Sequence, residues 1–127
     1  MLPGTKIHDP GAEYWTPEGC FINELANDPE DPDASLALAR VRPGDCTRWH
    51  HLEGTAERYL ILEGTGRVEI GDLPARDLVS YDVALIPPGT RQRITNTGSR
   101  DLVFLAVCTP RFRAEAYRDV EQPPPAP

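Results

Sequence analysis

Positive charge is in short supply. The 13 lysines and arginines are outnumbered by 20 aspartates and glutamates, for a formal net charge of −7. Nucleic acid needs a basic surface to neutralise its phosphates, so this balance argues against that class of partner. No long basic block is present either, which argues equally against an anionic membrane surface. Long apolar runs are missing, and nothing approaches the roughly 20 residues that span a bilayer. The first residues lack the basic-then-apolar order of a secretory signal, so a soluble cytoplasmic protein is expected. Cysteine is sparse: Cys20, Cys46 and Cys108 are widely spaced and form no C-x-x-C pair. An odd, scattered set reads as free structural thiols in a reducing compartment. Helical periodicity is absent from every long stretch, and no internal repeat is visible.

What the chain does have is punctuation. Its 127 residues, enough for one domain with a single core, include 10 glycines and 14 prolines. Residues 1–19 show little periodicity and read as an irregular arm. Cys20 to Leu25 reads as a first strand. Asn27 to Asp33 is a solvated acidic loop without the spacing of a calcium loop. Further strands are expected over Ser35–Arg42, Cys46–Leu52, Glu57–Glu63, Arg67–Ile70, Val83–Ile86, Gln92–Thr95 and Leu102–Cys108. Glycine- and proline-bearing turns separate them, which is the cadence of an all-β sandwich or barrel. Arg113 to Asp119 reads as a turn or two of helix, and Gln122 to Pro127, mostly proline, as a disordered tail. The domain therefore spans residues 20–110, with the arm before it and an extension over 111–127. Tyr59–Leu62 and Leu102–Val107 are apolar on both faces, so something must cover the outer one: the arm or a second subunit.

The most informative stretch holds Gly44, His50, Leu52, Glu57 and Gly64 in the spacing G-x5-H-x-L-x4-E-x6-G. It resembles the first motif of the cupin family, G-x5-H-x-H-x3–4-E-x6-G, with Leu52 at the second histidine. The second family motif, G-x5-P-x-G-x2-H-x3-N, lies over Tyr81 to Asn96. Pro87, Gly89 and Asn96 match it, Tyr81 replaces the leading glycine, and Gln92 replaces the histidine. The resemblance implies an antiparallel double-stranded β-helix, or jelly-roll barrel, paired as a homodimer. It also implies a small-molecule ligand inside the barrel and a divalent metal (Zn, Fe, Ni, Mn or Cu) at its base. No organic cofactor is indicated.

Strand alternation places Cys46, Arg48, His50 and Leu52 on one face, Glu57 with Tyr59 and Ile61, and Gln92 with Ile94. The resemblance assigns those faces to the barrel interior. Its metal would sit on His50, Glu57 and Gln92, with water completing the shell. Arg48, Leu52, Tyr59, Gln92 and Ile94 would line the substrate pocket. Tyr59 or His51 would handle a proton, although alternation points His51 outward. Without a metal the same residues form a hydrogen-bonded polar cluster in which His50 donates to Glu57 or Gln92. Arg48 has two roles open to it, gripping a ligand carboxylate or phosphate, or neutralising Glu57. Three functions follow: a metal-dependent isomerase, lyase or dioxygenase acting on a sugar or organic acid, a non-enzymatic dimer that binds such a molecule, or a structural or regulatory dimer whose pocket is vestigial. Fold alone does not choose between them.

Overall fold

The computed structural model describes residues 1–121. Its strands are β1 (Tyr14–Thr16), β2 (Cys20–Ala26), β3 (Ser35–Val41), β4 (His50–Leu52), β5 (Ala56–Glu63), β6 (Gly66–Ile70), β7 (Arg76–Leu78), β8 (Val83–Ile86), β9 (Gln92–Asn96), β10 (Leu102–Thr109) and β11 (Tyr117–Asp119). They form a six-stranded sheet in the order β1-β2-β3-β10-β5-β8 and a five-stranded sheet in the order β11-β4-β9-β6-β7. All pairings are antiparallel. Two facing antiparallel sheets of this kind make the jelly-roll barrel expected from the sequence. No helix among the described residues is long and apolar enough to cross a membrane.

The core lies between the sheets. Ile61, Ile94, Leu102 and Val41 are fully buried there, and Phe104 packs its ring against Tyr59 at 4.3 Å between centroids. Each such side chain withdrawn from water contributes about 1.5–3 kcal/mol. β10 alternates strictly, with Leu102, Phe104, Ala106 and Cys108 turned inward and their neighbours half-buried on the other face. That second face is apolar too. The register sets Leu38, Leu105, Leu60 and Val83 side by side across β3, β10, β5 and β8, continuing to Asn23 on β2. The N-terminal arm touches this face at its β2–β3 side, where Asn23 Nδ2 donates to the Asp9 carbonyl at 2.9 Å and Arg40 of β3 pairs with Glu13. Val83 and Leu85 remain 50% and 66% exposed at the opposite edge.

Several motif residues turn out to be architectural. Gly64 has φ of +80°, and a Cβ there would stand 2.6 Å from the Asp101 carbonyl oxygen, so no side chain fits. Asn96 Nδ2 donates to the carbonyls of Val41 and Arg100, both at 2.8 Å, while its Oδ1 accepts from Gly98 N–H at 2.9 Å. Tyr81 takes φ of +72°, which explains why the family pattern has glycine at this point.

Local expectations failed in four places. The arm is not wholly irregular, since Tyr14–Thr16 pairs with Cys20–Ile22. Only His50–Leu52 of the segment from Cys46 is strand, and an isolated bridge joins Cys46 to Thr95. Arg76–Leu78 forms a strand that was not expected. In place of a helix over 113–119 there is one 3-10 turn at Ala114–Ala116, followed by β11 pairing with β4. Short strands of this kind owe their existence to a partner strand rather than to their own propensity. The expected disordered tail, residues 122–127, lies outside the described residues.

Candidate functional site

Space inside the barrel comes from alanine. One line of the register crosses the inner face of the large sheet as Glu24, Ala37, Ala106, Tyr59 and Ala84. The neighbouring line carries Ser35, Cys108, Glu57 and Ile86. Short side chains beside long ones leave a cavity of about 110 Å³, lined by Glu18, Glu24, Glu57, Tyr59 and Phe104 among others. For scale, an apolar cavity of about 150 Å³ accepts benzene. A second hollow, bordered by Pro17, Ala114, Tyr117 and Asp119, shares Thr16, Glu18 and Phe112 with the first. Glu18 therefore stands where the cavity meets its mouth.

Glu57 is held on both oxygens. Gln92 Nε2 donates to Oε1 at 2.8 Å, and the Cys108 thiol donates to Oε2 at 3.5 Å. Burial, reinforced by the charge of Glu18, raises its pKa. Gln92 is completely buried, and its Oε1 is the one buried side-chain oxygen or nitrogen without a partner among the described residues.

His50 sits on β4 beside Gln92 on β9, with its ring stacked on Tyr117 at 5.2 Å. Its Nδ1 lies 2.7 Å from the Arg48 carbonyl, an acceptor only, so Nδ1 carries the proton and the neutral ring presents a bare Nε2. Burial holds its pKa below the ordinary 6.5. Nε2 lies 3.5 Å from Glu18 Oε1. Burial in turn raises the Glu18 carboxyl to about 7, although 23% of its side chain is reachable from the cavity and mouth. A buried imidazole with a fixed tautomer thus faces, across 3.5 Å, a carboxyl near neutrality that stands at the opening. Such a pair can exchange a proton at physiological pH.

The expected site residues divide. His50, Glu57 and Gln92 do meet, and Tyr59 reaches the cavity wall on β5. Leu52, Ile94 and Gln92 are buried, as their inward assignment required, though none of them borders the cavity. Arg48 does not point inward. It is 46% exposed and bonds Asp119 through Nε at 2.5 Å. Residues 47–49 are outside any strand, so alternation from His50 does not extend back to it. His51 also stays out of the barrel, as alternation had it, and bonds the Glu53 carboxylate at 3.0 Å. It cannot serve as a proton carrier inside.

Glu18, Cys108 and Tyr117 are site residues that the sequence did not announce. Glu18 occupies the turn between β1 and β2, where its carbonyl accepts from Arg48 N–H at 2.8 Å. Nothing in the linear pattern ties that turn to His50.

The donor set is a poor fit for a divalent metal. Among the described residues no three of histidine, cysteine, aspartate and glutamate stand close enough to hold one. Glu57 already accepts two hydrogen bonds, Gln92 directs its amide N–H at Glu57 and offers at best a neutral oxygen, and Leu52 offers nothing.

Comparison with known proteins agrees with this architecture. A family model described as Cupin domain matches residues 37–108. No curated protein matches the sequence significantly. A Klebsiella pneumoniae protein with a double-stranded β-helix domain superposes with a TM-score of 0.75 at 15% identity, over 94% of this chain and 100% of the other. KdgF from Halomonas gives 0.74 at 18% identity, covering 86% and 96%. Pac13 from Streptomyces, described as a nucleoside dehydratase, gives 0.75 at 16% identity, covering 93% and 92%. At these identities the likeness establishes the fold and nothing finer.

Proposed function

We propose that this chain, which belongs to the cupin family, moves a proton on a small polar molecule held in the barrel, as an isomerase or lyase does. The observation that carries the reading is Glu18 facing His50 Nε2 at 3.5 Å while Nδ1 is locked to the Arg48 carbonyl. In its ionised form Glu18 takes a proton from substrate carbon, and His50 Nε2 receives it. The Arg48 carbonyl then stabilises the imidazolium through Nδ1–H. Glu57, whose carboxyl burial pushes toward the protonated form, is the proton donor to the substrate oxygen, which either becomes an enol hydroxyl or departs as water. Loss of the His50 proton to solvent by way of Glu18 at the mouth, and return of one proton to Glu57, restore the resting state. That a structural neighbour is a dehydratase supports this reaction class.

Pairing as a homodimer is part of the same proposal. The uncovered apolar face of the large sheet, with Leu38, Leu60, Leu105 and Val83 in line, is suited to bury itself against a second copy. The three free thiols accord with a reducing, cytoplasmic setting.

The experiment is solvent-deuterium exchange into small aldoses, ketoses and hydroxycarbonyl compounds, followed by NMR with untagged, EDTA-treated protein. Wild type is expected to exchange a carbon-bound hydrogen in at least one of them. Glu18→Gln and His50→Gln should lose at least a hundredfold, while Arg48→Ala and His51→Ala retain the rate. If EDTA removes the activity and Zn, Ni or Mn restores it, the metal expected from the sequence is required after all. Saturable binding with no exchange makes the protein a ligand-binding dimer instead.

A further inference from the structure

The cavity has a floor of methyl groups and walls of larger apolar side chains. Two adjacent lines of the register build it, one carrying Tyr14, Ile22, Ala39 and Phe104 and the other Ala37, Ala106 and Tyr59. Alanine at 37, 39 and 106 sets three short side chains next to one another on β3 and β10. A flat apolar floor of this kind suits the face of a ring. The carboxyls stand apart from it. Glu24 is exposed at the rim, Glu18 stands at the mouth, and Glu57 already accepts from Gln92 and Cys108. No lysine, arginine or histidine borders the cavity among the described residues, so an anion has no counter-charge there. A polyol has no partners on the floor, and each hydroxyl buried there unpaired costs about tenfold in affinity.

One polar group faces this interior unpaired. Tyr59 is 3% exposed, and its hydroxyl makes no hydrogen bond among the described residues. It is not sealed inside the protein either, because Gln92 Oε1 is the one enclosed orphan. The hydroxyl therefore opens into the cavity that Tyr59 lines. Its ring is held in place by Phe104, 4.3 Å away between centroids. The other buried polar members of the wall are taken. Ser35 Oγ accepts from Phe112 N–H at 2.8 Å, and the Cys108 thiol donates to Glu57. Buried hydroxyls are nearly always paired, so a free one beside open space points to an acceptor on a ligand.

We propose that the substrate class of this cavity is a cyclic ketone. A single, otherwise apolar ring lies on the alanine floor, and its carbonyl oxygen accepts a hydrogen bond from the Tyr59 hydroxyl. The inference rests on this cavity being the substrate site, and it narrows the small polar molecule to one whose polarity is a single oxygen. Size sets the ring number. A volume of about 110 Å³, against about 150 Å³ for a cavity that accepts benzene, admits one ring with part of it toward the mouth and excludes a fused pair. Glu57 lies two residues from Tyr59 on the same face of β5 and also lines the cavity. One oxygen between them serves both the Tyr59 hydrogen bond and the proton transfer from Glu57.

Cyclohexanone, benzene and xylose have similar ring size and differ in their polar groups. Each is titrated into untagged full-length protein with methyl-labelled alanine, and the signals of Ala37, Ala39 and Ala106 are followed. Cyclohexanone should saturate with a Kd at least tenfold below that of xylose, and benzene should shift the same methyls. Tyr59→Phe removes only the hydroxyl. It should weaken cyclohexanone at least fivefold, leave benzene unchanged, and leave the melting temperature level or higher, since no bond within the protein is lost. Ala106→Leu fills the floor and should abolish binding of both rings. Ala37→Val is the smaller filling change, should Ala106→Leu not fold, and is expected to weaken both. Xylose binding as tightly as cyclohexanone, no saturation by either apolar ring, equal losses of benzene and cyclohexanone in Tyr59→Phe, or unchanged binding in the filled variants overturns the assignment. Such a result leaves the Glu18–His50 reading intact, because that reading is measured by hydrogen exchange in sugars and hydroxycarbonyl compounds. Conversely, cyclohexanone bound as expected, with no exchange in it or in any of those compounds, removes the catalytic reading and keeps the ligand class.

Discussion

Glu18→Gln should cost the protein its proposed activity and make it more stable. The carboxyl moves from its ordinary 4.5 to about 7 on folding because burial disfavours the charge. A folded-state pKa above the unfolded one means that the native protein binds the proton more tightly. The resulting stability is fully present below about pH 4.5, declines as pH rises through the window to about 7, and is gone above it. At 1.36 kcal/mol per pH unit the full swing is about 3 kcal/mol. Glutamine keeps the shape, cannot ionise, and can donate its amide N–H to the bare Nε2 of His50. The variant and wild type should therefore be nearly equal at pH 4.5, and the variant should lead by about 3 kcal/mol at pH 8. For a domain of this size that amounts to a melting temperature higher by roughly 10 °C. Urea unfolding of both proteins at pH 4.5, 6 and 8 tests this. Taking the difference between the two cancels most of the other titrations, including His50, whose depressed pKa costs stability on the acid side. A gap that is the same at all three pH values, or a variant that is the less stable at pH 8, refutes the argument that Glu18 is a strained buried acid. Stability gained where function is lost is the usual signature of a group kept for chemistry.

Three further outcomes are expected. Asn96→Ala leaves the carbonyls of Val41 and Arg100 without donors and should destabilise by about 2–4 kcal/mol in urea, with the cavity unaltered. Gln92→His adds an imidazole beside His50 and Glu57 and should create micromolar binding of Zn or Ni in demetallated protein, with Leu52→His adding to it, whereas wild type should show no such binding. Leu105→Glu places a charge in the middle of the apolar outer face, and light scattering should then fall from about twice the chain mass of 14.1 kDa to that mass itself. Wild type that is already monomeric at micromolar concentration removes the dimer.

Much of the architecture is a local matter and could be read from the chain. Turn chemistry and period-two patterning belong to neighbouring residues, so β3, β5, β8, β9 and β10 appear close to where the sequence placed them. Gly64 and Asn96 announced themselves because each has a conformational or hydrogen-bonding task that few other residues can perform. The meeting of His50, Glu57 and Gln92 was also legible, because alternation within each strand fixes which face a side chain takes once the barrel interior is known. Arg48 marks the edge of that logic, since alternation ends where the strand does. What only the tertiary structure decided is the character of the site. Glu18 reaches His50 because β1 folds back along β2 and carries its turn to the barrel mouth, and Tyr117 because β11 pairs with β4. These contacts join residues more than thirty and sixty positions apart. The pKa values there depend on how much water each group loses, a property of the assembled walls that no stretch of sequence carries alone.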